Sequence, residues 1–418
     1  MPRLLNINNY HYRRGGADAV YLDHAALFER LGWTSAFFSM HHEKNAPSEW
    51  SRFFIDEIEF GQAYSARDKI AMAGKVIYSF EARSRLARLL DEFRPDVAHL
   101  HNIYHHISPS ILELLHARQI PVVLTTHDLK IACPAYKMLN SLGVCERCRE
   151  GSVFNVVRYR CVRDSLAASL VVGLESALHD RVLHSYRRYV TRVVTPSIFY
   201  RDTFVRWGWP AERFSVVPNF VDCSVIEPCY SPGSYFLYFG RLSSEKGVAT
   251  LIRSAAVAGV PLKIAGTGPL DAELRALAGE LGAEVEFVGF QSGGALQALI
   301  AGARAVVLPS EWYENAPMSV LEAYAFGKPV IGARIGGIPE LVREGRTGVC
   351  FASGDADDCA RVLSEVWCMA PDQLESMGRE GRAWVESDFS PSRYLQAMQA
   401  VYESVGVSTP VTAATLTL

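Results

Sequence analysis

The feature that most constrains the fold of this chain is a short apolar run joined directly to a polar loop and a helical pattern. Ala305-Val306-Val307-Leu308-Pro309 is followed by SEWYENAPMSVLEAYAFGKPVI over residues 310–331. A brief apolar run bounded by turn residues reads as a strand buried on both faces, and a helix tolerates Pro317 near its start because the first-turn N–H groups have no partner inside the helix. Strand, loop and helix in this order form a unit of a parallel α/β sheet, whose ligands sit beyond the carboxyl ends of the strands. The helix start, from Asn315, Ala316 and Pro317 into Met318 and Ser319, offers N–H groups and a positive dipole end to an anion such as phosphate. Glu314 in the loop and Glu322 about a turn and a half into the helix are placed to flank a polyhydroxylated ligand attached to that phosphate. A helix cap and a surface carboxylate are the plainer alternative.

The same alternation recurs along the chain. Strand-like runs lie at residues 4–8, 33–40, 95–102, 121–128, 190–196 and 214–217. Further runs lie at 235–239, 262–265, 285–290 and 305–309, with helical patterns between them. Gly15 and Gly16 sit at the first strand-to-helix turn, where residues without a Cβ allow close backbone approach. His101, Asn102, His127 and Asp128 fall at strand ends, His127 being the stronger candidate for substrate contact. His99 reads as a hydrogen-bonded core residue, and His105, His106 and His116 as surface. Residues 68–93 read as one long basic amphipathic helix, and residues 164–188 as helical. In the second half, Gly240 and Arg241 are followed by Lys246 on a loop where two cations can neutralise a diphosphate; a surface salt bridge of Glu245 is the alternative. Gly266 and Gly268 form a turn at the next strand end. Gly289 and Phe290 end another strand, with backbone groups able to edge a flat base.

Four of the nine cysteines, Cys133, Cys145, Cys148 and Cys161, lie within 29 residues. A CxxC between two flanking cysteines fits a tetrahedral thiolate site, and structural zinc is the first expectation; an iron–sulfur cluster, unligated thiols and a redox CxxC are the alternatives. Lys130, Lys137 and several arginines make this insert basic and able to shape an acceptor site.

At 418 residues and 49% hydrophobic, the chain is long enough for two cores. No apolar run approaches the length of a bilayer crossing, and MPRLLNINNY enters a strand pattern without signal-peptide character, so a cytoplasmic location is expected. Residues 1–206 carry 27 basic against 21 acidic side chains, and the remainder 15 against 24. The basic half suits an anionic membrane surface or an acidic sugar.

Taken together, Gly15-Gly16, His127-Asp128, Gly240-Arg241 with Glu245-Lys246-Gly247, Ala265-Gly266-Thr267-Gly268-Pro269 and Glu314-x7-Glu322 resemble the pattern of retaining glycosyltransferases of family 4, and their order covers nearly the whole chain. The resemblance implies the GT-B architecture, two Rossmann-like doubly wound domains facing a cleft. The expected divisions are an acceptor-side domain at 1–206 with the cysteine insert at 133–161, a sugar-nucleotide domain at 207–388, a helix at 389–405 crossing back to the first domain, and a disordered tail at 406–418. The resemblance assigns the donor diphosphate of a UDP- or GDP-sugar to Arg241 and Lys246, the ribose to Glu322, the transferred sugar to Glu314, and the donor sugar's neighbourhood to His127. Gly16 closes on the phosphates. No catalytic divalent ion is implied, so a metal at the cysteines would be structural. The four-cysteine insert resembles that of a bacterial subgroup working in surface-polysaccharide assembly, with a glycan or lipid-linked saccharide as acceptor, peripheral contact at the inner face of an anionic membrane, and no nucleic acid. Two competing functions are a sugar-nucleotide 2-epimerase on the same fold and, remotely, a zinc-containing nucleic-acid-binding protein.

Overall fold

The computed structural model describes residues 1–57 and 65–408. The first half contributes β1 (Arg3–Ile7), β2 (Thr34–Phe38), β3 (Val97–Leu100), β4 (Val122–Thr125), the hairpin strands β5 (Leu139–Asn140) and β6 (Gly143–Val144), β7 (Arg192–Thr195) and β8 (Phe214–Val216). The second contributes β9 (Phe236–Phe239), β10 (Leu262–Ala265), β11 (Val285–Gly289), β12 (Ala305–Leu308), β13 (Val330–Ala333) and β14 (Gly348–Phe351). Two six-stranded sheets result, in the orders β2-β1-β3-β4-β7-β8 and β11-β10-β9-β12-β13-β14, with every pairing parallel. Central strands such as β3, β4, β12 and β13 are buried at every position, which is why they read as unbroken apolar runs.

The chain divides into two compact units, Met1–Val217 with the described residues from Leu395 onward, and Pro218–Tyr394. The sequence reading closes the first unit at residue 206. In the structure β8 is the sixth strand of the first sheet, its Ser215 opposite Val194 of β7, so that unit runs to Val217. The helix Pro391–Glu403 begins in the second unit and ends in the first, where the Tyr402 hydroxyl meets the ring nitrogens of His24 at 2.8 Å and His99 at 2.6 Å. Of the tail expected at 406–418, residues 409–418 lie outside the described residues. Gly406 and Val407 instead cap the last helix. Gly406 has φ +89°, and the Gly406 and Val407 N–H groups donate to the carbonyls of Glu403 and Tyr402.

Two long helices of the sequence reading are broken, each for a local reason. The 68–93 pattern is two helices, Ala66–Ile77 and Phe80–Glu92; Ser79 caps the second by accepting from the Ala82 N–H. The 164–188 pattern is an α-helix, Leu166–Ser176, a π-helical turn, Ala177–Val182, and a short helix, Ser185–Tyr189, entered through left-handed His184.

Each sheet has a point where its strand order reverses, between β1 and β3 in the first and between β9 and β12 in the second. Chains leaving neighbouring strands there diverge to opposite faces and open a crevice at the carboxyl ends. Both candidate clusters of polar residues lie at these ends.

Candidate functional site

In the second unit, β9 runs into Gly240 and Arg241, and β12 into Pro309 and Ser310. The two loops pack backbone against backbone: the Glu311 N–H donates to the Glu245 carbonyl at 2.9 Å. Gly247 has φ +64°, and a Cβ there would lie 1.9 Å from the Pro309 carbonyl oxygen, a distance no side chain could take. The next loops close in the same way. A Cβ on Gly266 would strike the Gly240 carbonyl and one on Gly268 the Leu242 carbonyl, so these glycines have a packing reason apart from any ligand. Gly289 carries φ +70° in open space, and Phe290 is exposed.

This loop stack brings Lys246 to Glu314. The ammonium lies 2.6 Å from Oε1 of Glu314, which also accepts from the Ser310 hydroxyl at 2.7 Å. Burial pushes the Glu314 carboxyl up, but the Lys246 charge and the hydrogen bonds of Lys246, Trp312 and Ser310 outweigh it and hold the group below the usual carboxylate range. Lys246 also stands 5.2 Å over the Trp312 ring. The carboxylate that Lys246 pairs with is thus Glu314. Arg241 is exposed, and its guanidinium has no ion-pair partner among the described residues. The helix Met318–Ala325 starts beyond Pro317, and the preceding turn is tied down by the Asn219 amide donating to the Ala316 carbonyl at 2.9 Å. Phe220 packs on Tyr394, ring centroids 4.5 Å apart. Asn315 and Ala316 are buried, Met318 and Ser319 half-buried. Glu322 is half-buried, and burial pushes its carboxyl up.

In the first unit, the β1, β3 and β4 ends converge. Asn8 donates to Asp18 at 2.9 Å and accepts from the Asn102 N–H at 3.1 Å, fixing the helix Gly16–Arg30 against the end of β3. Gly15 is its extended N-cap. His101 Nδ1 and His127 Nε2 are 2.7 Å apart with their rings nearly parallel, a link between neighbouring strand ends that the separate sequence motifs do not display. Burial pushes His127 down to about 4, so it is neutral at physiological pH, and pushes the Asp128 carboxyl up to about 7. His99 is wholly buried, its second ring nitrogen 2.7 Å from the Thr125 hydroxyl. His106, read as surface, is buried, and His105 lies half-buried 3.6 Å from Glu175.

The structure overturns the expected zinc site. Among the described residues no group of three or more histidine, cysteine, aspartate or glutamate side chains is disposed to hold a metal ion. Cys133, Cys145, Cys148 and Cys161 line a cavity of only about 10 Å³ together with Pro134, Ala135, Met138, Leu139, Val156 and Trp207. Burial pushes Cys133 up to about 12 and Cys148 to about 11, so these are neutral thiols packed as small apolar groups. The insert is held by buried Ala135, Met138 and Val156 and by the β5–β6 hairpin. Lys130, counted among the cations that make the insert basic, is buried in an ion pair with Glu175 at 2.8 Å. Three basic residues of the 68–93 stretch are likewise engaged: Lys75 with Glu81, Arg83 with Glu113, and Arg85 with Asp56 and Glu81. Among the described residues no helix is long and apolar enough to cross a membrane.

With this geometry in hand, comparison with known proteins is decisive. Residues 14–225 match the family model described as Glycosyltransferase Family 4. The chain belongs to glycosyltransferase family 4. A second model, Glycosyl transferases group 1, matches residues 227–384 of this family 4 protein. It is 30% identical over 214 residues to WcaL of Salmonella typhimurium, named as a glycosyltransferase of colanic acid biosynthesis, a match covering 47% of this chain and 53% of that one. It is also 30% identical over 247 residues to a glycogen synthase of Mycobacterium tuberculosis, covering 55% and 59%. The chain spans about half the length of the curated relatives it matches. Among solved structures, a sucrose-phosphate synthase of Thermosynechococcus elongatus superposes with a TM-score of 0.69 at 20% identity, over 97% of this chain and 99% of that one. Anabaena HepE, solved with UDP and glucose, superposes at 0.65 and 17%, over 97% and 100%. At these identities the likeness shows the fold, the GT-B fold of two doubly wound α/β units.

Proposed function

We propose that the chain is a retaining glycosyltransferase that moves a sugar from a UDP- or GDP-sugar to a hydroxyl of a glycan or lipid-linked saccharide in polysaccharide assembly. The observation that carries this reading is the Lys246–Glu314 pair at the switch point of the second sheet, 2.6 Å apart with Arg241 beside it on the same loop. Arg241 and Lys246 hold the diphosphate, and Glu314 turns from Lys246 toward the hydroxyls of the transferred sugar. Glu322 takes the ribose. The backbone turns at Gly266, Gly268 and Gly289, with Phe290, border the base, while Gly15 and Gly16 close on the phosphates. The relatives' names, in colanic acid and glycogen synthesis, support a polysaccharide context.

In the reaction the bond from the anomeric carbon to the phosphate oxygen breaks, its electron pair leaving with the phosphate. The acceptor hydroxyl oxygen bonds to that carbon on the same face, and its proton passes to the departing phosphate oxygen. The chain's residues act by position and charge: the cations stabilise the leaving diphosphate, and the neutral His127 imidazole, held by His101, stands near the sugar as positive character develops. The acceptor belongs to the first unit, and the reaction takes place on the cytoplasmic side of the membrane.

The test is product analysis by mass over a panel of UDP- and GDP-sugars, with and without saccharide acceptors. Acceptor-dependent transfer with the anomeric configuration kept is the expected result. Isomerisation of the donor sugar with no acceptor present would reject transfer in favour of epimerisation, and an inverted product would reject retention.

A further inference from the structure

The helix Leu166–Ser176 of the first unit is inverted. The positions it buries are Ser169, Val172, Gly173, Glu175 and Ser176, while Leu166, Leu170 and Leu174 stand 57, 45 and 42% exposed. A helix packed on a core turns such a row inward. Glu175 is the one charged residue of this helix and is buried against Lys130, so the outer face is wholly uncharged.

Every fourth residue of an α-helix creeps about 40° round the axis, and a row of this kind would spiral away. The π-helical turn Ala177–Val182 follows at once; its wider i→i+5 bonding winds less per residue and opposes the drift. Val182, at the end of that turn, is 68% exposed. The turn is anchored through buried His179, whose Nε2 lies 2.7 Å from the Ile77 carbonyl. Two exposed phenylalanines lie close by. Phe154 packs on the helix at Gly173, where an added Cβ would lie 3.6 Å from its ring. Phe80 lies against Tyr78, whose ring stacks on that of His179.

A row of exposed leucines marks a binding face, and the charges around it select the partner. Among the described residues of 151–184, the exposed ionisable side chains are Arg158, Arg160, Arg163, Arg181 and His184 against Asp164 alone. Just outside, Glu150 is paired with Arg149. Arg158, Arg160 and Arg181 have no ion-pair partner among the described residues, in contrast to Lys75, Arg83 and Arg85, each of which holds a carboxylate. A second copy of the chain is disfavoured, since a two-fold contact puts the same patch on both sides and sets arginine against arginine. A bilayer with anionic headgroups satisfies both features: leucines enter the acyl boundary, and the long arginine stems let the guanidinium groups reach the phosphates.

We propose that this face, from Leu166 to Val182 with its arginine border, docks on the surface of an anionic bilayer. That the bilayer also presents a lipid-linked acceptor rests on the glycosyltransferase reading; the docking does not. The test sediments the full chain with vesicles of phosphatidylcholine and phosphatidylglycerol in equal parts, and with phosphatidylcholine alone, for the native protein, Leu170→Ser/Leu174→Ser and Arg158→Gln/Arg160→Gln. Binding to the mixed vesicles, weakened at least about tenfold by the leucine pair and about fivefold for each arginine removed, is the expected result. All four side chains are exposed, so circular dichroism should not change, and the arginine pair keeps the test open should the leucine pair fail to fold. No sedimentation with either vesicle, or binding equally strong in the folded variants, would overturn the proposal. Equal binding to phosphatidylcholine alone would overturn the choice of an anionic surface. Self-association abolished by the leucine pair, without vesicle binding, would give the face to a second copy instead. Vesicle binding by a chain that transfers no sugar would leave this face standing and sink the proposed activity.

Discussion

The two units share one topology and divide the chemistry between them. All twelve histidines lie in residues 1–206 and none after. At its switch point the first unit presents buried, uncharged rings. Burial lowers His11, His106 and His127 to about 4 and His24 to about 3. The second unit places at the equivalent point a lysine, an arginine and a depressed carboxylate, on loops locked by glycine. The same crevice can thus be built as a neutral wall, suited to hydroxyls, or as a charged one, suited to phosphate.

The largest consequence concerns the charged wall. Lys246→Ala is expected to lower kcat/KM for transfer about 10²–10³-fold, the usual effect of removing one group that stabilises developing charge. Circular dichroism should remain unchanged, because Lys246 is partly exposed. Near-normal turnover would show that the charge of this wall is structural.

Next comes acid stability. A histidine held neutral takes up its proton more readily in the unfolded chain. The stability due to the first unit's histidines is therefore present above about pH 6.5 and lost as pH falls toward 3–4. His24 alone corresponds to on the order of 3–5 kcal/mol. Asp128 and Asp180, raised to about 7, work in the opposite sense and shallow the slope. Glu314 has a depressed pKa, so its contribution is lost only below the ordinary carboxylate range. Hydrogen exchange resolved by peptide mass should show the first unit opening at higher pH than the second; simultaneous opening would erase the distinction.

The smallest effect concerns the link between strand ends. His101→Phe keeps a ring against His127 but removes its nitrogen partner, and kcat should fall about tenfold with donor KM unchanged, the effect of losing one positioning hydrogen bond. An equal rise in KM would mark the pair as a binding element.

Which parts of this were readable from residues alone follows from the range of the forces involved. Strands such as Ala305–Leu308 are visible because burial on both faces writes itself as a continuous apolar run. Ser79 between two helical patterns is also a local signal, but 68–93 is amphipathic throughout and the cap is masked by that period. The CxxC spacing describes two thiols on one turn and says nothing of where Cys133 and Cys161 fall, and packing in the insert made thiols of expected ligands. Lys246 and Glu314 are 68 residues apart. Each could be placed on a loop at a strand end, but their pairing depends on Gly247 lying against Pro309, a contact no local pattern encodes.

The first unit is not one continuous stretch of chain. His24 and His99 share the Tyr402 hydroxyl, so their pairing waits until the whole of Pro218–Tyr394 has been synthesised. On the ribosome the second unit can therefore complete its sheet while the first still lacks its last helix. Of the two, the unit whose strands are synthesised first would be the later to reach its final structure, reversing the order in which domains ordinarily mature.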